Sequence, residues 1–232
     1  MTTPNHNQPL FGGAIQCNLP SNCSFDLSDV RPVPDHQEVF VTDVSGSTST
    51  NMLVFEILER QAQVPDDQAA EYFFKDLRGL NDPSDSDISK EDADVSLFQR
   101  CRSVNGSWDI ISSLPRFVAS MDGFKNDDVG DGNEIEFEVG AYGCIGQHRV
   151  RMSPSSLFAF VKVELCVLRL KHVRTDFLIT LSQPMPQEEY LRMQQQQCRS
   201  GDESCEVSYD ALSDSFKSIL ESFVILDWKL FG

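Results

Sequence analysis

Side chains that could carry catalytic or metal chemistry are sparse in this sequence. The chain has 4 histidines, and they are scattered without the HExxH spacing or another paired-ligand spacing. Cys144 and His148 stand at a suitable distance for two zinc ligands, but two further ligands cannot be assigned and the segment has the pattern of a strand. We predict no metal site, and we expect Cys144 to be a small core residue.

Residues 127–138 come nearest to a calcium-binding loop. Asp131, Gly132 and Glu138 occupy the fifth, sixth and twelfth positions of such a loop, but Val129 stands at the third, where an oxygen ligand is required. The letters IEFEV at the end of this stretch are typical of a strand and not of the exiting helix. We interpret the segment as an acidic surface loop.

Motifs for nucleophilic or nucleotide chemistry are also missing. The sequence contains no GxSxG elbow and no GxxxxGK[ST] phosphate loop. Gly140, Gly143 and Gly146 are spaced by three and do not form GxGxxG, so we expect them to serve a bulge or close strand packing. The sequence predicts no cofactor and no covalent catalysis, since a small-molecule enzyme would need convergent titratable groups.

The charge balance narrows the class of partner. The chain carries 36 acidic and 19 basic side chains, a net charge of −17. This charge repels nucleic acid and anionic lipid, and it favours encounter with a protein that has a basic surface. We expect no secretory signal and no membrane insertion. The 7 cysteines should be reduced thiols, with a Cys198–Cys205 bridge as the alternative.

Apolar patterning predicts an α+β fold, with helices packed against a mainly antiparallel β-sheet of about six strands. The predicted strands are residues 39–41, 52–58, 135–139, 146–152 (with a glycine-rich kink before it), 157–171 and 175–181. The predicted helices are residues 66–80, and residues 209–224 with Ser208 or Asp210 as the cap. We predict one domain over residues 1–232, with acidic or polar loop insertions near 82–107, 120–134 and 185–207.

The segment DLSDVRPVPDHQEVF, residues 26–40, is the most informative about a partner. Pro32 and Pro34 fix their own φ angles and bias Val33 toward an extended conformation. The polar side chains that follow would then be displayed with little conformational freedom, which suits recognition of a basic surface.

This segment resembles the signature of the Ran guanine nucleotide release factor family. Further matching pieces follow in the family's order: LFGGAI at 10–15, LVFEILE at 53–59, AAEYFFKDL at 69–77, LRLKHVRTDFLITLSQP at 168–184 and DWKLFG at 227–232. The resemblance implies a PsbP-like fold, in which helices sandwich the sheet in three layers. It also implies binding to the small GTPase Ran, promotion of nucleotide release, and a role in nuclear protein import.

The resemblance also implies the partner-binding residues. The family's acidic pair falls on Glu56 and Glu59, and the signature loop supplies Asp35, Gln37 and Glu38. Residues three apart on a straight strand face opposite sides of a sheet. We therefore expect either that the strand ends near Leu58 or that only one of the two glutamates contacts the partner.

A release factor of this kind acts by binding alone. Its carboxylates could compete with phosphate for the lysine of the GTPase phosphate loop, or disturb the magnesium site. Exchange is accelerated only if the factor binds the nucleotide-free form more tightly than the loaded form. The alternative is an adaptor or trafficking scaffold without exchange activity. We expect a monomer that is present in nucleus and cytoplasm.

Overall fold

The computed structural model describes residues 6–19, 25–43, 50–81, 114–119, 121, 139–151, 158–188 and 212–232. Its strands are β1 (His6–Leu10), β2 (Ile15–Leu19), β3 (Phe25–Asp26), β4 (Gln37–Asp43), β5 (Thr50–Glu59), β6 (Val139–Arg151), β7 (Phe158–Leu170), β8 (Thr175–Met185) and β9 (Val224–Ile225). The two main helices of this part of the chain are α1 (Ala69–Asn81) and α2 (Asp214–Ser222), and residues 115–119 are also helical.

Six strands form the principal sheet in the order β3-β4-β5-β8-β7-β6, and every neighbouring pair is antiparallel. The predicted α+β class and the predicted β4–β5 hairpin are confirmed, with Val39 opposite Val54. The β7–β8 connection is the short turn Lys171–Val173, closed by Arg174 in the left-handed region at φ 51°.

The two faces of the sheet are covered by different helices. Cys144 and Gly146 of β6 contact Ala70 and Phe74 of α1, which defines the α1 face. Phe177 of β8 contacts Phe223, the residue after α2, on the opposite face, which we name the α2 face. Because successive side chains of a strand point to opposite faces, these contacts determine the face of every other residue in the sheet. This arrangement matches the expected sandwich of a sheet between helices.

Helix α1 follows the predicted pattern closely. Pro65 precedes a 3₁₀ turn at Asp66–Gln68, and the α-helix continues from Ala69. Its buried side chains come at helical spacing and pack on the α1 face: Ala69, Ala70, Phe73 and Phe74.

Strand β6 differs from the prediction, because it passes through its three glycines without the expected kink. Gly140, Gly143 and Gly146 pair in regular register with β7. A methyl group at Gly140 would overlap the ring of Tyr142, and one at Gly146 would overlap the ring of Phe74. Gly140 and Gly146 therefore make room for aromatic rings, one on the same strand and one on α1.

The C-terminal boundaries also differ from the prediction. The described part of the last helix begins at Asp214 with Ser213 as its cap, whereas Ser208 and Asp210 lie outside the described residues. Val224 belongs to β9 and not to the helix, because it pairs with Gln16 of β2. The resulting sheet β1-β2-β9 joins the two ends of the chain and was not predicted.

The predicted loop insertions fall almost entirely outside the described residues. Within their ranges, only residues 121 and 185–188 are described. The acidic loop 127–138, Cys198 and Cys205 also lie outside them. The proposed single domain with three insertions thus stays a prediction.

Candidate partner-binding site

The five predicted site residues lie at one end of the β4–β5 hairpin, where β4 begins and β5 ends. Asp35 is in the turn before β4, Gln37 and Glu38 are its first two residues, and Glu59 is the last residue of β5. Gln37 is directly opposite Glu56 in the register. We name residues 35–38 and 56–59 the hairpin end.

The turn that displays Asp35 is fixed by backbone hydrogen bonds. The amide of Gln37 donates to the carbonyl of Pro34 at 2.9 Å, and the amide of Ile57 donates to the carbonyl of His36 at 2.9 Å. Asp35 is exposed, and its carboxylate contacts no hydrogen-bond or ion-pair partner among the described residues. The rigid backbone thus presents a carboxylate to the solvent.

Glu56 is oriented by its neighbours on the α1 face. The Gln37 side-chain amide donates to Glu56 Oε1 at 2.5 Å, and His36 Nε2 lies 3.7 Å from the same oxygen. Only 17% of the Glu56 side chain is exposed, whereas the figure for His36 is 52%. A protonated His36 would form an ion pair with Glu56, so this carboxylate is both positioned and partly covered.

Glu38 faces the other way, although it follows Gln37 directly. It lies opposite the buried Phe55, and its Oε1 accepts a hydrogen bond from the amide of Phe11 at 2.8 Å. Burial raises the pKa of Glu38, the Phe11 hydrogen bond opposes this, and the charge of Asp26 adds to it. Glu38 therefore connects the N-terminal turn to the principal sheet, a contact within the chain that the sequence did not reveal.

Glu59 ends β5 and is exposed. The strand ends one residue after Leu58, and Glu59 is still paired with Thr175 of β8. Glu56 and Glu59 consequently lie on opposite faces, and whether both contact a partner stays a prediction. The Glu59 carboxylate has no hydrogen-bond or ion-pair partner in the described ranges.

A buried charged cluster next to Glu59 was missed by the sequence reasoning. It consists of Arg169, Asp176 and Asp66, which we name the Arg169 cluster. Arg169 Nε donates to Asp176 Oδ1 at 3.0 Å, and both side chains are fully buried. Arg169 Nη1 donates to Asp66 Oδ1 at 2.7 Å. The available signal was that Arg169 interrupts and Asp176 precedes a run of apolar residues, near the end of β7 and the start of β8.

Basic side chains around Asp66 keep it ionised. Burial alone would raise the pKa of Asp66, but the hydrogen bond from Lys171 and the charges of Lys171, Arg169 and Arg60 lower it below its usual value. Lys171 Nζ lies 3.0 Å from Asp66 Oδ2. Asp66 and Asp176 are thus each paired with basic side chains.

The described residues contain no group of three or more metal-ligating side chains. Cys144 is buried beneath α1, where its thiol donates to the carbonyl of Ala70 at 3.5 Å, and the side chain of His148 is not described. In the same part of the chain, no helix has the length and apolar character needed to cross a membrane.

The chain matches known proteins along most of its length. The profile of the family described as Ran-interacting Mog1 protein matches residues 8–184. The Ran guanine nucleotide release factor of Bos taurus is 28% identical over 99% of this chain and 98% of that protein. The nuclear import protein mog1 of Schizosaccharomyces pombe is 23% identical over 96% of this chain and 98% of that protein.

A solved structure has the same fold. The Ran-binding protein Mog1p of Saccharomyces cerevisiae superposes with a TM-score of 0.56 and 18% identity, covering 99% of both chains. This structural match and the profile match together place the chain in a family of α+β proteins. The chain belongs to the Ran-interacting Mog1 protein family, and the resemblance found in the sequence is confirmed.

Proposed function

We propose that this chain binds the small GTPase Ran through the hairpin end and promotes the release of its guanine nucleotide. The observation that carries the proposal is the placement of Asp35, Glu56 and Glu59 at the same end of the β4–β5 hairpin, in a chain with a net charge of −17. The name of the Bos taurus relative supports nucleotide release, and the family description supports Ran as the partner.

The geometry suits a contact with basic groups. Glu56 is oriented by Gln37, so little of its side-chain freedom is lost when it binds. Asp35 and Glu59 are exposed, so their carboxylates are accessible to basic groups of a partner. Gln37 contributes to the binding surface by orienting Glu56 through its side-chain hydrogen bond. Glu38 contributes by joining the N-terminal turn to β4, and its carboxylate is engaged with Phe11 in the free protein.

Release follows if the hairpin end binds nucleotide-free Ran more tightly than loaded Ran. The carboxylates would compete with phosphate for the lysine of the GTPase phosphate loop or weaken its magnesium site. Linkage makes the effect reciprocal, so added nucleotide must weaken binding of this chain to Ran by the same factor. The chain needs no covalent step and no cofactor for this action.

The cellular role that we propose is support of nuclear protein import, by a monomer present in nucleus and cytoplasm. The name of the Schizosaccharomyces pombe relative supports the import role. A partner-binding adaptor without exchange activity is the other outcome of the experiment below.

The test is the release rate of fluorescent GDP and GTP from Ran, with the wild type and with Glu56→Ala plus Glu59→Ala. The matched control is Asp76→Ala plus Glu221→Ala, which removes the same charge from exposed positions on α1 and α2. We expect the wild type and the control to accelerate release and the hairpin variant to lose most of the acceleration. Binding without faster release would identify an adaptor, and no binding would refute the Ran assignment.

A further inference from the structure

The two residues that follow Glu59 are each held by a backbone hydrogen bond to the region where β8 begins. The amide of Arg60 donates to the carbonyl of Arg174 at 2.8 Å, beyond the last sheet pair of β5. The amide of Gln61 then donates to Asp176 Oδ2 at 2.9 Å. The backbone on the C-terminal side of Glu59 is therefore fixed by the β7–β8 turn and by one buried carboxylate.

Arg169 completes this attachment from β7. Its Nη2 donates to the carbonyl of Gln61 at 2.6 Å, and its Nη1 donates to the carbonyl of Val64 at 2.7 Å. With the two bonds to Asp176 and the one to Asp66, the guanidinium donates five hydrogen bonds. Only the planar fork of an arginine presents donors in this arrangement.

Stability alone does not explain such a cluster. Buried ion pairs contribute little net stability, because the cost of removing both charges from water offsets their attraction, and apolar residues of similar volume often serve as well. What Arg169 supplies is a single backbone path for residues 60–66, which are more than 100 residues away from Arg169 in sequence. That path begins at Glu59.

We propose that Arg169 and Asp176 are positioning residues for Glu59 at the Ran-binding surface, an inference that rests on the proposed function. Asp176 orients Arg169 and contacts the Gln61 amide, and Arg169 fixes the carbonyls of Gln61 and Val64. The backbone that follows Glu59 is thereby held in a single direction, which fixes the position of Glu59 at the end of β5. Glu56 is oriented separately, by Gln37 and His36 on the α1 face.

The test is a pair of double-mutant cycles that measure the affinity for nucleotide-free Ran. Arg169→Lys keeps the charge but cannot donate all five hydrogen bonds, and it is combined with Glu59→Gln in one cycle and with Glu56→Gln in the other. We expect Arg169→Lys to weaken binding about tenfold, to add little when Glu59 is already replaced, and to be additive with Glu56→Gln.

Glu164→Gln is the matched control for a purely structural effect. Glu164 is also fully buried, but it accepts hydrogen bonds from Ser213 beside α2 at 2.6 and 2.7 Å. We expect this variant to lose stability and to keep its affinity for Ran at a temperature where it is folded. If Arg169→Lys does not fold, Asp66→Asn replaces it in both cycles, because Asp66 is partly exposed, accepts a hydrogen bond from Arg169 and lies outside the strands.

The outcomes separate the two proposals. If Glu56→Gln and Glu59→Gln leave the affinity unchanged, the proposed surface is wrong and the positioning role falls with it. If both weaken binding but Arg169→Lys is additive with Glu59→Gln, or matches Glu164→Gln in its effect on affinity, the surface stands and the positioning role is overturned.

Discussion

The Arg169 cluster and the hairpin end are adjacent regions whose charged side chains differ in burial and in hydrogen bonding. Arg169 and Asp176 are fully buried, and each is hydrogen bonded within the chain. Asp35 and Glu59 are exposed on backbone that is equally well fixed, and their carboxylates have no hydrogen-bond or ion-pair partner within the described ranges. Buried charges must be satisfied by the fold, whereas exposed charges on a rigid frame are free to meet another molecule.

Glu56 and Glu38, both part-buried, lie on opposite faces of the hairpin end. Glu56 is opposite Gln37 on the α1 face, and Glu38 is opposite Phe55 on the α2 face. The register therefore gives the two carboxylates different partners, Gln37 for Glu56 and the amide of Phe11 for Glu38. Residue type and sequence proximity do not decide which acidic residue can meet a partner, because the register does.

The largest expected effect comes from breaking the buried pair. Asp176→Ala leaves the Arg169 guanidinium without its main counter-charge, which should lower the free energy of unfolding by about 3–5 kcal/mol. Urea denaturation at neutral pH measures this. Glu59→Ala, at the exposed end of the contrast, should change stability by no more than about 0.5 kcal/mol. If Asp176→Ala and Glu59→Ala lowered the free energy of unfolding equally, the Arg169–Asp176 pair would have no special role in stability.

A smaller effect is expected at Glu164, a second buried carboxylate among the described residues. Ser213→Ala removes the hydroxyl that donates to Glu164 at 2.6 Å and that caps α2, accepting from the amide of Phe216 at 3.3 Å. We expect a loss of about 2 kcal/mol, from the cap and from the lost partner of a buried charge. Ser215→Ala, at an exposed position in the first turn, is the control and should be close to neutral. A neutral Ser213→Ala would argue against the capping contact.

The smallest expected effect is the pH dependence of Asp66 and Glu38. The pKa of Asp66 is lowered in the folded state, so its contribution to stability is present above the ordinary value of 3.8 and is lost as the pH falls through the folded pKa. The pKa of Glu38 is raised, so its buried charge costs stability at neutral pH, and the cost is relieved as the pH falls toward 4.5.

The two variants should therefore differ in sign when acid titrations of urea midpoints are compared with the wild type. Asp66→Asn should lose less stability than the wild type on acidification, and Glu38→Gln should lose more. Identical titration curves for the two variants would contradict the assignment of these carboxylates to different environments.

Strong local patterns made much of the fold predictable from the sequence. Helix α1 has apolar residues at helical spacing, and the β4–β5 hairpin, β7 and β8 contain runs rich in branched and aromatic residues. The positions of these elements were confirmed. The small sheet was missed because β9 has only two residues, Val224–Ile225, and pairs with the other end of the chain. The prediction of a kink in β6 was wrong. Gly140 and Gly146 make room for the rings of Tyr142 and Phe74, and such contacts cannot be read from the local sequence.

The candidate site was only partly predictable. The resemblance brought together the five residues of the hairpin end, but the division of Gln37 and Glu38 between two faces required the strand register. The Arg169 cluster joins residues 103 to 108 positions apart, and no local pattern connects Gln61 or Asp66 with β7. Contacts of this kind depend on tertiary structure.

The most direct test of the central claim is the affinity of nucleotide-free Ran for Glu56→Gln plus Glu59→Gln, measured by calorimetric titration against the wild type. Asp76→Asn plus Glu221→Gln changes the net charge equally at exposed positions away from the hairpin end. We predict a loss of about tenfold or more for the hairpin variant and less than about twofold for the control. Equal losses for the two variants would mean that overall charge, and not this surface, governs binding.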